Sequence, residues 1–398
     1  MLSAIAQLSY SVKQSIVILA SLFLSSIIAY LSTPLAIKFA RKIDAVDVPA
    51  DNRRMHSKPI PLLGGLAIIV AFLITATVMM RYHRLLWQIL PGALIIALLG
   101  IIDDKHPLPA WPKLLVQCVA AALPIAVNPK IVIESISGFN IFGINTIHFG
   151  AFAIPVTILW IIGITNAVNF IDGLDGLAAG ISTIASISML IVAIIKMSVD
   201  PNEYSVAILT AALAGGCLGI LPYNKNPAKV FLGDTGATFL GYTLAVISIQ
   251  GLFKTYTAVS FAVPILVLGL PIIDICAAVV RRLKEHKSPF AADRCHIHHK
   301  LIDKGLDQKQ AVGLLYCVSA ILGISAIIFA AFDSSTGWLF LLGAVGLIAE
   351  VCILAIPNSK NANDESNIVP DTDGKAGGEI INTDNAAGRI DENNRDES

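Results

Sequence analysis

Apolar runs separated by short polar gaps dominate this chain. Residues 15–36 and 62–80 carry no charge over about 19–22 positions, long enough for a helix to cross a hydrocarbon core of roughly 30 Å. Windows of the same kind recur at 85–102, 114–127, 152–168, 177–195, 204–222, 231–250, 258–280, 310–332 and 338–356. The pattern therefore predicts an all-α polytopic membrane protein with eleven transmembrane helices, the fourth of them short. Pro155, Pro264 and Pro271 lie inside windows and predict kinks, which packed membrane helices tolerate. The first window is too long for a cleavable signal peptide and lacks a basic leader. Two segments depart from the helical pattern. Residues 130–149 alternate apolar and polar side chains around Gly138 and Gly143 and predict a small external β-hairpin. Residues 357–398, rich in Asn, Asp and Gly, predict a disordered acidic cytoplasmic tail beyond a membrane domain of 1–356.

Charge changes the picture in two ways. Only 14% of residues are charged, against roughly 25% in ordinary soluble domains, and 28 Lys and Arg balance 28 Asp and Glu. That balance excludes nucleic acid as a partner, which needs a basic surplus. It also conceals an asymmetry. Residues 1–356 hold 24 basic and 18 acidic groups, whereas the tail holds 4 and 10. Within the body, the odd-numbered gaps between windows, with Lys38 at their edge, hold 18 Lys and Arg, and the opposite side holds 6. The positive-inside rule then makes the odd gaps cytoplasmic, with the N-terminus outside and the C-terminus inside. The six cysteines form no C-x-x-C pair and read as packing residues.

The polar residues that need explaining fall on that cytoplasmic side. Asp103-Asp104 ends the third window, Asn166 to Gly176 joins the fifth to the sixth, and Gly233-Asp234-Thr235-Gly236 opens the eighth. The loop from Arg281 to Lys304 carries Asp293-Arg294-Cys295-His296-Ile297-His298-His299. Adjacent Asp103 and Asp104 diverge on a regular helix, so at most one is expected to enter a shared centre. Asp172 and Asp175, three apart, share a face if the segment is helical, and Gly173 and Gly176 permit close backbone approach to a ligand. Carboxylate and amide oxygens without thiolates suit Mg²⁺ or Mn²⁺, which is completed by phosphate oxygens. With a basic loop beside it, such a site reads as phosphoryl transfer on a phosphate ester.

Plainer readings stand beside this one. Asp-Asp can be a solvated helix end, Asn-x-x-Asn an interhelical hydrogen bond, and Gly-Asp-Thr-Gly a turn before a helix N-terminus that favours an acid. The histidines with Cys295 are too cramped for a typical zinc site. Asp274 is the one acid well inside a window, and Arg281, seven positions on, lies near its helix face; a structural and a functional role are equally open for it. A transporter would suit eleven spans, but its polar site would be expected near the midplane rather than at one edge.

Taken together, Phe231-Leu232-Gly233-Asp234-Thr235-Gly236, the stretch NAVNFIDGLDGLAA at 166–179, Asp103-Asp104 and His296-Ile297-His298-His299 resemble the polyprenyl-phosphate N-acetylhexosamine-1-phosphate transferases. The resemblance runs from about Ala36 to Ile356. The Gly-Asp-Thr-Gly and His-x-His-His forms are similar to the UDP-N-acetylglucosamine branch, which starts teichoic acid, O-antigen and related envelope polymers. The phospho-N-acetylmuramoyl-pentapeptide transferases of peptidoglycan synthesis, with a run of three histidines, are the runner-up. The resemblance implies a bacterial plasma-membrane enzyme that joins UDP-N-acetylglucosamine to undecaprenyl phosphate, and a homodimer is compatible with it. It implies Asn169 and Asp234 as Mg²⁺ ligands and Asp103 and Asp104 as catalytic groups, with Asp234, near the lipid phosphate. It places Lys58, Asp172, Gly173, Leu174, Asp175, Asn224 and Phe231 around the uridine and diphosphate, and Arg294, His296, His298 and His299 on phosphate oxygens. A phosphomonoester has its second pKa near 6, so the acceptor is largely dianionic at neutral pH, and Asp103 and Asp104 are expected to orient it rather than deprotonate it.

Overall fold

In the computed structural model, residues 2–48, 58–81, 83–141, 144–251, 262–286, 296–332 and positions 340, 342–343 and 345–346 are described. The expected window 338–356 and the tail 357–398 lie almost wholly outside these residues.

Most apolar windows fold as the helices their hydrophobicity predicts. The first sits within α1 (Leu2–Lys42), and α2 (Gly65–Met79), α3 (Arg84–Lys105), α4 (Ala110–Val127), α5 (Ala153–Ile171), α6 (Leu177–Lys196), α7 (Glu203–Asn224) and α8 (Gly233–Gly251) follow. After these come α9 (Ala262–Val267), α10 (Gly269–Lys284), α11 (Ile297–Asp303) and α12 (Gln308–Ala331). Among the described residues, 7 helices are long and apolar enough to cross a membrane, and α2 is a shorter apolar one. At 1.5 Å per residue, a helix the length of α3 reaches roughly 33 Å. A 3-10 turn (Gly150–Phe152) leads into α5, and two short antiparallel pairs complete the described elements: β1 (Val46–Asp47) with β2 (Ile60–Pro61), and β3 (Ser135–Ile141) with β4 (Ile144–His148). The second pair falls within the 130–149 segment expected to form a hairpin.

Departures from the expected windows have local causes. The window 62–80 starts its helix only at Gly65, and the N–H groups of Gly64 and Gly65, which have no partner within the helix, donate to the Phe231 and Leu232 carbonyls at 2.8 and 3.0 Å. The window 258–280 is not one helix. It breaks at Leu268 between α9 and α10, since Pro271 offers no N–H to the turn before it and its ring crowds the carbonyl four residues back. Pro155 lies in the first turn of α5, where a missing N–H costs no helical bond. The fourth window extends to a full 18 residues as α4.

Packing gives α7 and α8 the centre. In lipid, helices gain little from burying apolar surface against one another, so close contact relies on small residues and hydrogen bonds. Gly215 and Gly219, one turn apart on α7, bring that helix directly against the α1 backbone at Leu22 and Ser26, and Ser25 Oγ donates to the Ala212 carbonyl at 2.6 Å. Nearly every residue of α8 is buried between α3, α5 and α2, with Phe72 meeting Phe239 edge to face at 5.7 Å. The ends of α3, α5 and α7, the starts of α4, α8 and α12, the turn before α6 and one side of α11 then surround one cavity.

Candidate active site

That cavity has a volume of about 1110 Å³, and its walls include Asp103, Asp104, Lys113, Asn169, Asp172, Gly173, Leu174, Asp175, Asn224, Phe231, Gly233, Asp234 and His299. The acids thus converge from three separated stretches of chain, and each is held by its own local geometry.

Asp104 leaves the last turn of α3 and accepts three bonds at the start of α8: from Asp234 N at 2.7 Å, Thr235 N at 3.0 Å and Thr235 Oγ1 at 2.6 Å. It therefore satisfies N–H groups that the first turn of α8 cannot pair internally, and places negative charge at the positive end of that helix. The turn before α8 needs Gly233, whose φ is +70° and where a Cβ would overlap the Leu62 carbonyl. The Gly-Asp-Thr-Gly motif is accordingly both a turn capped by an acid and a wall of the cavity. Asp103, buried, accepts from Leu108 N at 2.7 Å and forms an ion pair with Lys113. Both members of the acidic pair line the cavity, contrary to the expectation that only one would, because Asp104 turns aside to α8. Lys113 also reaches Asp234 Oδ2 at 3.2 Å and so bridges two carboxylates from different helices.

Between α5 and α6 the chain forms a turn rather than the helical face expected for Asp172 and Asp175. Gly173 and Gly176 follow the two acids directly, and Gly176 adopts φ +79°. Asp175 staples this turn to the loop after α7, accepting from Asn226 Nδ2 at 2.9 Å and Ala228 N at 3.0 Å. Asp172 keeps part of its surface open to the cavity. Loss of bulk water there pushes its carboxyl up to about 8, and the charges of Asp234, Asp104 and Asp175 add to the effect. The Asn-x-x-Asn motif divides. Asn166 exchanges hydrogen bonds with Gln117 of α4, Asn166 Nδ2 donating at 2.7 Å and Gln117 Nε2 at 3.3 Å, whereas Asn169 lines the cavity. Asn224 is buried, donates to the Val230 carbonyl at 2.9 Å, and has no hydrogen-bond partner at Oδ1.

The histidines are not equivalent. His299 lines the cavity, while His296 and His298 are buried behind it. His296 Nδ1 donates to Asp274 Oδ2 at 2.8 Å, and the Ile297 N–H donates to Asp274 Oδ1 at 2.9 Å. His298 lies against Gly173, where a Cβ would overlap its Nε2. Burial, and then the neighbouring His299, push the His298 imidazole down to about 4, so it is neutral at physiological pH. Lys58 is exposed and does not line the cavity, and Arg294 lies outside the described residues. On α10, Arg282 is buried with Asp274, and Arg281, seven positions on from Asp274, is half-buried. Sequence reasoning missed Lys113; its only signal was a lone cation near the start of an apolar helix, ten residues after Asp103.

Residues 86–252 match the model for glycosyl transferase family 4. The chain is 38% identical over 345 residues to a Bacillus subtilis protein described as a probable undecaprenyl-phosphate N-acetylglucosaminyl 1-phosphate transferase, covering 86% of this chain and 92% of the relative. It is 30% identical over 364 residues to a decaprenyl-phosphate N-acetylglucosaminephosphotransferase of Mycobacterium tuberculosis, covering 85% and 89%. It is 28% identical over 293 residues to the Escherichia coli undecaprenyl-phosphate alpha-N-acetylglucosaminyl 1-phosphate transferase, covering 72% and 76%.

Proposed function

This chain belongs to glycosyl transferase family 4, and on that premise we propose that it transfers N-acetylglucosamine 1-phosphate from UDP-N-acetylglucosamine to undecaprenyl phosphate. An oxygen of the lipid phosphate bonds to the sugar-linked phosphorus, the bond from that phosphorus to the bridging oxygen breaks, and UMP leaves. The observation that carries this reading is the single cavity into which Asp103, Asp104, Asn169, Asp172, Asp175, Asp234 and His299 converge at one end of the helix bundle.

The donor set fits a hard divalent cation. Asn169 and Asp234 would hold Mg²⁺, with Mn²⁺ as a substitute, in a cavity whose described walls carry Asp103, Asp104, Asp172, Asp175 and Asp234 beside one lysine, Lys113. Among the described residues no group of three or more His, Cys, Asp or Glu forms a ready cage; this suits Mg²⁺, which takes one or two protein carboxylates and completes its shell with phosphate and water. When bound, the ion would neutralise charge on the diphosphate. The protein's own groups do the rest. Asp103 and Lys113 orient the acceptor phosphate, and Asp104 fixes the start of α8 and with it Asp234. The 172–175 turn, Asn224 and Phe231 border the uridine and diphosphate, Asn224 Oδ1 offering an open acceptor. His299 and Arg294 would supply donors to phosphate oxygens, and Lys58, which lies off the cavity wall, is left out of the site.

The reading extends to topology: eleven spans, an external hairpin, the N-terminus outside and the cavity facing the bacterial cytoplasm, with the product the first lipid-linked intermediate of an envelope polymer such as teichoic acid or O-antigen. The test is release of UMP from UDP-N-acetylglucosamine by purified protein with undecaprenyl phosphate in detergent. Release that requires Mg²⁺ and is absent with UDP-N-acetylmuramoyl-pentapeptide supports the proposal. No UMP from UDP-N-acetylglucosamine overturns it.

A further inference from the structure

Asp274 is a buried carboxylate on α10 that the proposed reaction leaves without a task. It does not line the cavity. Its two oxygens are spent on consecutive residues of one short segment, Oδ2 accepting from His296 Nδ1 at 2.8 Å and Oδ1 from Ile297 N at 2.9 Å. A carboxylate in that position holds a proton on Nδ1 of His296 and leaves Nε2 as the second ring nitrogen, so it determines both ring orientation and tautomer. It also satisfies the first N–H of α11, which has no partner within that helix.

The held ring is itself a brace. His296 packs against Phe170 with centroids 5.3 Å apart and is stacked nearly parallel on His298 at 5.9 Å. Phe170 follows Asn169 directly, and His298 rests on the Gly173 backbone. One imidazole therefore touches the end of α5 on one side and, through His298, the 172–175 turn on the other. His299, tilted on His298 with centroids 4.2 Å apart, is the next residue and reaches the cavity.

We infer that Asp274 is a positioning residue: acting through His296, it docks α11 on the 169–175 segment and sets where His299 stands in the cavity wall. The carboxylate itself touches no substrate. The inference rests on the proposed transferase reading for its effect on rate, but its structural half does not.

Asp274→Asn separates the charge from the shape. The asparagine keeps one oxygen for the Ile297 N–H, but presents an NH₂ to His296 Nδ1 and forces the opposite tautomer. In the full-length protein in detergent, hydrogen exchange at the amides of Ile297–Asp303 is expected to quicken at least tenfold in Asp274→Asn, with exchange in α7 unchanged. UMP release is expected to fall about tenfold or more. His296→Gln is expected to give a similar loss, and Asp274→Asn/His296→Gln no more than the larger single loss, because residues acting as a unit are not additive. Asp274→Glu, which keeps the carboxylate, is expected to recover part of the rate. Wild-type exchange in α11 of Asp274→Asn, or losses that multiply in the double variant, overturns the inference. If Asp274→Asn does not fold, the exchange and rate of His296→Gln decide alone: unchanged α11 and rate overturn it. If wild-type protein releases no UMP, the transferase reading fails, and the exchange result still decides whether Asp274 docks α11.

Discussion

At the scale of single residues, neighbours in sequence have separate tasks. Asp103 and Asp104 differ by one position, yet Asp103 holds Lys113 at the cavity while Asp104 gives both oxygens to the start of α8. Asp103→Asn is expected to depress turnover at every pH between 6 and 9, since the acceptor phosphate loses its second proton near pH 6 without help. A pH–rate series checks this, and a defect that vanishes above about pH 8 would instead identify Asp103 as a general base. Lys113→Met removes the cation between Asp103 and Asp234 and is expected to lower kcat/KM about 10- to 100-fold. Steady-state kinetics in detergent check that range, which corresponds to roughly 1.4–2.7 kcal/mol of lost stabilisation. The acids were legible as site candidates because charge at the end of an apolar helix demands a reason. Lys113 was not, because a cation at a membrane edge is already accounted for by topology.

At the scale of elements, the site is made of helix ends rather than helix faces. The start of α8 needs left-handed Gly233, an Asp104 cap and close contact with Leu62. Gly233→Ala meets both backbone strain and overlap, and is expected to destabilise by about 2–4 kcal/mol; a fall in the midpoint of thermal unfolding in detergent checks it. The start of α12 shows the same economy on a smaller scale: Asp307 Oδ1 accepts from Gln310 N at 2.7 Å while Gln310 Oε1 accepts from Asp307 N at 2.9 Å, a capping box. The docking of α11 is expected to depend on pH. His298 titrates near 4 when docked and near 6.5 when free. Above pH 6.5 both forms are neutral and docking is unaffected. As pH falls from 6.5 towards 4 the free ring takes up a proton that the docked ring resists, so docking weakens, by on the order of 3 kcal/mol in the limit, and below 4 it weakens no further. Exchange at Ile297–Asp303, corrected for intrinsic rate, is expected to rise from pH 7 to pH 5, and His298→Gln to flatten that rise.

At the scale of the whole molecule, the partition of charge makes a direct prediction. In a cysteine-free background on intact cells, a membrane-impermeant thiol reagent is expected to label a cysteine placed at His148 and not one placed at Lys229. Helix periods and apolar length made most spans readable from sequence, since a helix in lipid must satisfy its own backbone and be apolar wherever lipid touches it. The break at Leu268 was foreshadowed only by its flanking prolines, and hydrophobicity gave no sign of where α2 starts, because its first turn is anchored by distant chain: Gly64 and Gly65 donate to the Phe231 and Leu232 carbonyls more than 160 residues away. The amino-acid order by itself determined which segments are apolar helices, which side is richer in positive charge, and that carboxylates, amides and histidines gather at helix ends, because these depend on local hydrophobicity and spacing. Only the tertiary structure decided that Asp104 serves α8 while Asp103 meets Lys113, that Asn166 pairs with Gln117 while Asn169 faces the cavity, and that Asp274 holds His296. Those assignments depend on which helix ends are neighbours in space, and side-chain packing between distant segments sets that.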